Sequence, residues 1–79
     1  MKFTREDYTR RIIDKEGKIP EDEPVFLLRA QDKYAPSTLR FYARLLQENG
    51  DSPMAEELLA HARAMLVWQK SVKVKKPDK

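Results

Sequence analysis

Three residues near the middle of the chain limit its fold more than any others: Pro36, Gly50 and Pro53. Proline is tolerated in the first turn of a helix, where its missing N–H has no partner to lose, and glycine is favoured just past the end. The stretch 36–49 is therefore framed as one helix. Asp51-Ser52-Pro53 opens the next, with an N-cap side chain ahead of the proline. Asn49-Gly50-Asp51-Ser52 leaves room only for a tight polar turn, so the two helices must double back on each other as an antiparallel hairpin.

Periodicity supports both elements. From about Pro53 to Ser71, Met54, Leu58, Ala62, Met65 and Leu66 share one face of a 3.6-residue wheel, with Ala55 and Leu59 at its edge. Glu56 and Glu57 lie near the amino end and Lys70 at the carboxyl end, each complementing the helix dipole. In the preceding helix Leu39, Tyr42, Ala43 and Leu46 form the main stripe, and Phe41 and Leu45 widen it past half the circumference. A helix this apolar needs cover on two sides, which points to self-association. Phe41, Leu45 and Trp68 are the expected interface residues.

The first third is less sharply marked. Thr4 stands three residues before Asp7, as in a capping box, and favours helix after it; Tyr8 to Ile13 would also serve as an edge strand. Residues 16–20 read as loop. In 23–33, acids before Pro24 and a lysine at the end favour a short helix. Val25–Leu28 is apolar all round, however, and periodicity alone does not separate buried helix from buried strand. Leucines, alanine and glutamine decide for helix. The expected fold is all-α: a short helix plus an antiparallel helical hairpin, one domain over 1–72, with a disordered basic tail over 73–79.

Size sharpens the case for a homo-oligomer. A chain of 79 residues buries a modest core. With no cysteine there is no disulfide to brace it, and one histidine cannot close a zinc cage. No apolar run approaches the length of a bilayer span or a signal-peptide core, so a cytoplasmic location is expected. The net charge of +3 is carried by the ends. Residues 20–69 hold five Lys/Arg against eight Asp/Glu, while the last ten hold five lysines and one aspartate. Nucleic-acid binding therefore reduces to a weak contribution from the tail.

Catalytic patterns are missing. Gly17 and Gly50 stand alone, so there is no phosphate loop, and the serines lie at or near helix ends where capping explains them. His61 has Glu57 one turn before it, a pairing compatible with a general base. No third group completes a site, and a histidine at the border of the core beside a surface glutamate is the simpler reading. Neither enzyme activity, nor a metal, nor a cofactor is expected.

The residues around Arg29-Ala30-Gln31-Asp32-Lys33-Tyr34-Ala35-Pro36 look like a recognition corner. Arg29 and Lys33 suit an anion, Gln31 a polar edge and Tyr34 stacking. Arg40 and Arg44, one turn apart, can bracket a phosphate or carboxylate. The competing reading makes Asp32 a capping residue for the second helix, or a partner of Arg29, and pairs the two later arginines with Glu48 or with acids of a neighbouring chain. Glu23-Pro24-Val25-Phe26-Leu27-Leu28-Arg29-Ala30-Gln31-Asp32, followed by Ala35-Pro36, resembles a segment of short phage and prophage accessory proteins. The resemblance spans the central third and implies a small accessory protein with no assigned activity. Its analogues are compact helical proteins that bind nucleotide signals or host proteins. The leading expectation is a homo-oligomer that sequesters an anionic, nucleotide-like ligand at a subunit junction. The alternative is an adaptor that presents the apolar face of helix 36–49 to a different protein.

Overall fold

The computed structural model describes residues 1–72. The chain runs β1 (Lys2–Phe3), α1 (Glu6–Arg11), β2 (Pro24–Val25), α2 (Ala35–Glu48) and α3 (Ser52–Ser71). It is mostly helical, and the two long helices pack together as the proline and glycine punctuation requires. Among the described residues no helix is long and apolar enough to cross a membrane. The basic tail lies outside the described residues.

The turn between α2 and α3 uses almost every polar group in it. Gly50, at φ 85°, takes the left-handed conformation that closes a Schellman-type cap. Its N–H donates to Gln47 O at 3.2 Å, and the Asp51 N–H donates to Leu46 O at 2.8 Å. Asp51 then turns its side chain forward, accepting from the Met54 N–H at 3.3 Å to cap α3. One short loop thus ends one helix and starts the next.

The hairpin core is built on small residues. Ala35, Ala43, Ala55 and Ala62 are each at most 1% exposed, and Met65 is also buried. Leu39, Leu46, Leu58 and Leu59 flank them, half-buried. This corrects the wheel drawn from sequence: Met54, Leu66 and Tyr42, at 42%, 37% and 46% exposure, lie at the border of the contact rather than at its centre. The reason is geometric. Helix axes approach most closely where side chains are smallest, so the contact line settles on the alanines and displaces the larger apolar groups to its borders.

A short helix is present at Glu6–Arg11, where the sequence favours one, but none forms over 23–33. The expected helix over 23–33 is instead the strand β2 followed by irregular chain. Pairing with Lys2–Phe3 holds Pro24–Val25 extended, and Pro36 prevents a helix here from running on into α2. In a continuous helix the Asp32 carbonyl would accept from residue 36, which has no N–H. The Ala30 carbonyl would accept from Tyr34, whose N–H is taken by Asp32 Oδ1 at 2.8 Å. Both carbonyls are satisfied by Gln69 of α3 instead, whose Nε2 lies 2.9 Å from Ala30 O and 2.9 Å from Asp32 O. The Asp32 carboxylate accepts from the N–H of Tyr34 in an Asx-type turn just ahead of α2, whose N-cap residue makes no side-chain capping bond, and no ion pair joins Asp32 to Arg29 among the described residues.

Residues 6–11 are helical, as favoured from the sequence, but Thr4 does not cap them. Arg5 occupies the N-cap position, and its donor-only side chain makes no capping bond; the Asp7 carboxylate that would complete the box is held by arginines. Arg5 Nε and Nη2 donate to Asp7 Oδ1 and Oδ2 at 2.9 and 2.8 Å, and Arg11 Nη1 donates to Oδ2 at 3.3 Å. Burial pushes the Asp7 carboxyl up, but the hydrogen bond and charge of Arg5, with the bond from Arg11, outweigh it and hold the group below its usual value. β1 pairs in parallel with β2, Lys2 opposite Pro24 and Phe3 opposite Val25. Beneath this layer sits Tyr8, 5% exposed. Phe3 meets its ring edge-on at 6.1 Å, and the Arg5 and Arg11 guanidinium carbons lie 4.7 and 5.7 Å from its centroid.

Candidate functional site

The six residues expected to form one corner fall into two places. Lys33, Tyr34, Arg40 and Arg44 line up along the outer side of α2 and the turn before it. Arg29 and Gln31 turn towards the amino-terminal layer. Arg29 Nη1 reaches the Tyr8 hydroxyl at 3.4 Å, and both residues line a cavity of about 20 Å³ with Thr4, Tyr8 and Asp32. That space holds roughly one water molecule and no nucleotide.

The outer side of α2 carries rings and cations together. Phe41 and Leu45 each lie roughly 160° round the helix from buried Ala43 at 3.6 residues per turn, and they are 57% and 41% exposed. Tyr34, 54% exposed, continues the same strip towards the amino end. Lys33 Nζ lies 5.1 Å from the Tyr34 ring centroid, and the Arg44 guanidinium carbon 5.7 Å from that of Phe41. Arg40 Nη2 donates to Ser37 Oγ at 3.2 Å. Among the described residues, ion pairs join Arg5 and Arg11 to Asp7 and Lys18 to Glu16. Lys33, Arg40 and Arg44 have none, and the Glu48 partnership considered for the arginines does not form. The Lys33 ammonium and the Arg44 guanidinium thus stand beside exposed aromatic faces, Arg40 lies one turn before Arg44 on Ser37, and none of the three has an acid to neutralise it among the described residues.

Trp68 is in a different setting from Phe41 and Leu45. It lines an open groove of about 370 Å³, bounded by Leu28, Arg29 and Ala30 on the connection before α2 and by His61, Ala64, Met65 and Trp68 on α3. His61 is exposed at this groove and makes no ion pair with Glu57 among the described residues. No group of three or more His, Asp or Glu is placed to hold a metal there or elsewhere among the described residues.

Two influential residues carried only faint signals in the sequence. Gln69 extends the heptad series Ala55, Ala62, and an amide on a buried stripe is a cue that it has partners to satisfy. Tyr8 sits in a run compatible with either helix or strand. Nothing local distinguishes it as the aromatic centre of the amino-terminal layer. No known protein family, curated protein or solved structure matches this chain.

Proposed function

We propose that the protein is a non-enzymatic binding protein that self-associates through the outer strip of α2 and holds an anionic, nucleotide-like ligand at the subunit junction. One observation carries this reading: Lys33 and Arg44 lie beside the exposed rings of Tyr34 and Phe41, and they and Arg40, one turn before Arg44, have no carboxylate partner among the described residues. In this arrangement the three cations receive phosphate oxygens and Tyr34 stacks on a base. A charge-assisted hydrogen bond contributes about 1.5–3 kcal/mol, and stacking on an aromatic about 1–3 kcal/mol. Three charge-assisted bonds and one stacked base together give at most about 12 kcal/mol, which leaves micromolar affinity after an association cost of about 4 kcal/mol. Self-association supplies the concavity that a convex helix face lacks. Fully burying a side chain such as Phe41 or Leu45 is worth about 1.5–3 kcal/mol, and roughly half of that remains available at each.

Light scattering on the eluting protein and calorimetry against mono-, di- and cyclic nucleotides test the reading. The expected result is a dimer or larger species that binds at micromolar concentration, with Arg40→Ala plus Arg44→Ala abolishing heat while the circular dichroism spectrum is retained. A monomer with no heat across the panel refutes it. The alternative, an adaptor docking a different protein, draws on Tyr42. At 46% exposure it extends the apolar surface of α2 beyond the cationic row, giving more area than a small ligand uses.

A further inference from the structure

The groove between the connection before α2 and α3 has a composition unlike the rest of the surface. Ala30 and Ala64 contribute only methyl groups to walls otherwise made of larger side chains, and a trough of about 370 Å³ remains where they lie. That volume is in the range of small-molecule sites, about 300–1,000 Å³. The trough is preformed, because Gln69 anchors the Ala30 and Asp32 carbonyls and fixes one wall against α3. From His61 to Trp68 its length is roughly 10 Å along the helix at 1.5 Å per residue.

The polar groups at its rim are of one kind. Arg29 and His61, both lining residues, carry N–H donors, and none of the lining residues is acidic. The Arg29 guanidinium has one long bond, to the Tyr8 hydroxyl, and no carboxylate partner among the described residues. Its planar fork matches a carboxylate better than a neutral or cationic group.

We propose that this groove is a binding site for a small amphipathic carboxylate. The apolar body lies against Leu28, Ala64 and the Trp68 ring, and the carboxylate accepts from Arg29 and His61. The site is separate from the outer strip of α2 and goes beyond the function proposed above. Doubling Arg40→Ala with Arg44→Ala leaves it intact.

Trp68 is the only tryptophan in the chain and is 44% exposed, so its emission reports occupancy of the groove directly. The full chain is titrated with decanoate, with decanol and decylamine as neutral and cationic probes of matched length, all below micelle-forming concentrations. A saturable blue shift with decanoate is expected, about tenfold weaker with decanol and weaker still with decylamine. Ala64→Leu projects into the trough where the apolar body would lie and should abolish the shift at an unchanged or raised unfolding midpoint. Arg29→Gln should bring decanoate down to the affinity of decanol. If Arg29→Gln loses the fold, charge preference is read from the three probes on the unaltered protein. No saturable shift with decanoate, equal affinity for all three probes, or retained binding in folded Ala64→Leu overturns the proposal.

Discussion

Replacing Gln69 by methionine, similar in reach but with no donor, should loosen the attachment of residues 26–34 to α3. The cost follows from what each carbonyl has left. Asp32 O keeps the Ala35 N–H at 3.0 Å, so it loses one of two partners. Ala30 O loses the Gln69 donor that satisfies it. A lost hydrogen bond costs about 1 kcal/mol and an orphaned part-buried carbonyl about 1–3 kcal/mol, reduced here because Ala30 is half-buried and water can reach it. The sum is about 2 kcal/mol. At a urea dependence near 1 kcal/mol/M for a chain this small, the midpoint should fall by roughly 2 M. Gln69→Glu, with the same shape but acceptor oxygens facing two carbonyls, should cost at least as much at neutral pH. Amide exchange should quicken over 26–34 while the Schellman turn and the alanine contact of the hairpin stay protected. If both variants unfold within about 0.5 kcal/mol of the parent, beyond which a surface substitution is unusual, the account of Gln69 as the clasp is wrong.

Three further outcomes follow from particular contacts. Gly50→Ala should cost about 1–2 kcal/mol in thermal unfolding: a Cβ there meets nothing within 4 Å, so the whole cost is the left-handed backbone at φ 85°. Ala62→Leu should destabilise the protein by about 1–3 kcal/mol, because Ala62 is 1% exposed where the helices are closest; an unchanged urea midpoint would show the contact to be loose. The Asp7 carboxyl titrates below its ordinary value of 3.8 in the folded protein, so its contribution is fully present above the unfolded value and lost as pH falls through the folded one. Asp7→Asn should therefore lower stability at neutral pH, and the gap between variant and parent should close in strong acid, as urea unfolding at stepped pH can follow.

The hairpin was written plainly in the chain because its signals are local. Pro36, Gly50, Asp51 and Pro53 act through backbone torsions and hydrogen bonds within a few residues of themselves, so no distant partner is needed to interpret them. The outward placement of Phe41 and Leu45 was legible for a similar reason, since their angle from the main stripe is set by helical pitch alone. Arg40 and Arg44 are carried on the same helix, and their place followed with it.

Where sequence reasoning failed, the deciding partner was far away in the chain. Residues 23–33 have the composition of a short helix, yet β2 pairs with Lys2–Phe3 and the carbonyls ahead of Pro36 are satisfied by a glutamine 37 and 39 residues further on. The position of Arg29 changed with that segment, moving it from the α2 strip to Tyr8 and to the groove beside Trp68. The choice of Ala43, Ala55 and Ala62 over Met54, Tyr42 and Leu66 as the buried line depended on how closely two helices could approach. The sequence by itself determined the two long helices, their turn and the charges they carry, because torsional preference and periodicity act within a helix. Only tertiary structure decided the central segment, the alanine contact and the groove, because each depends on which remote group supplies a hydrogen bond or leaves a space unfilled.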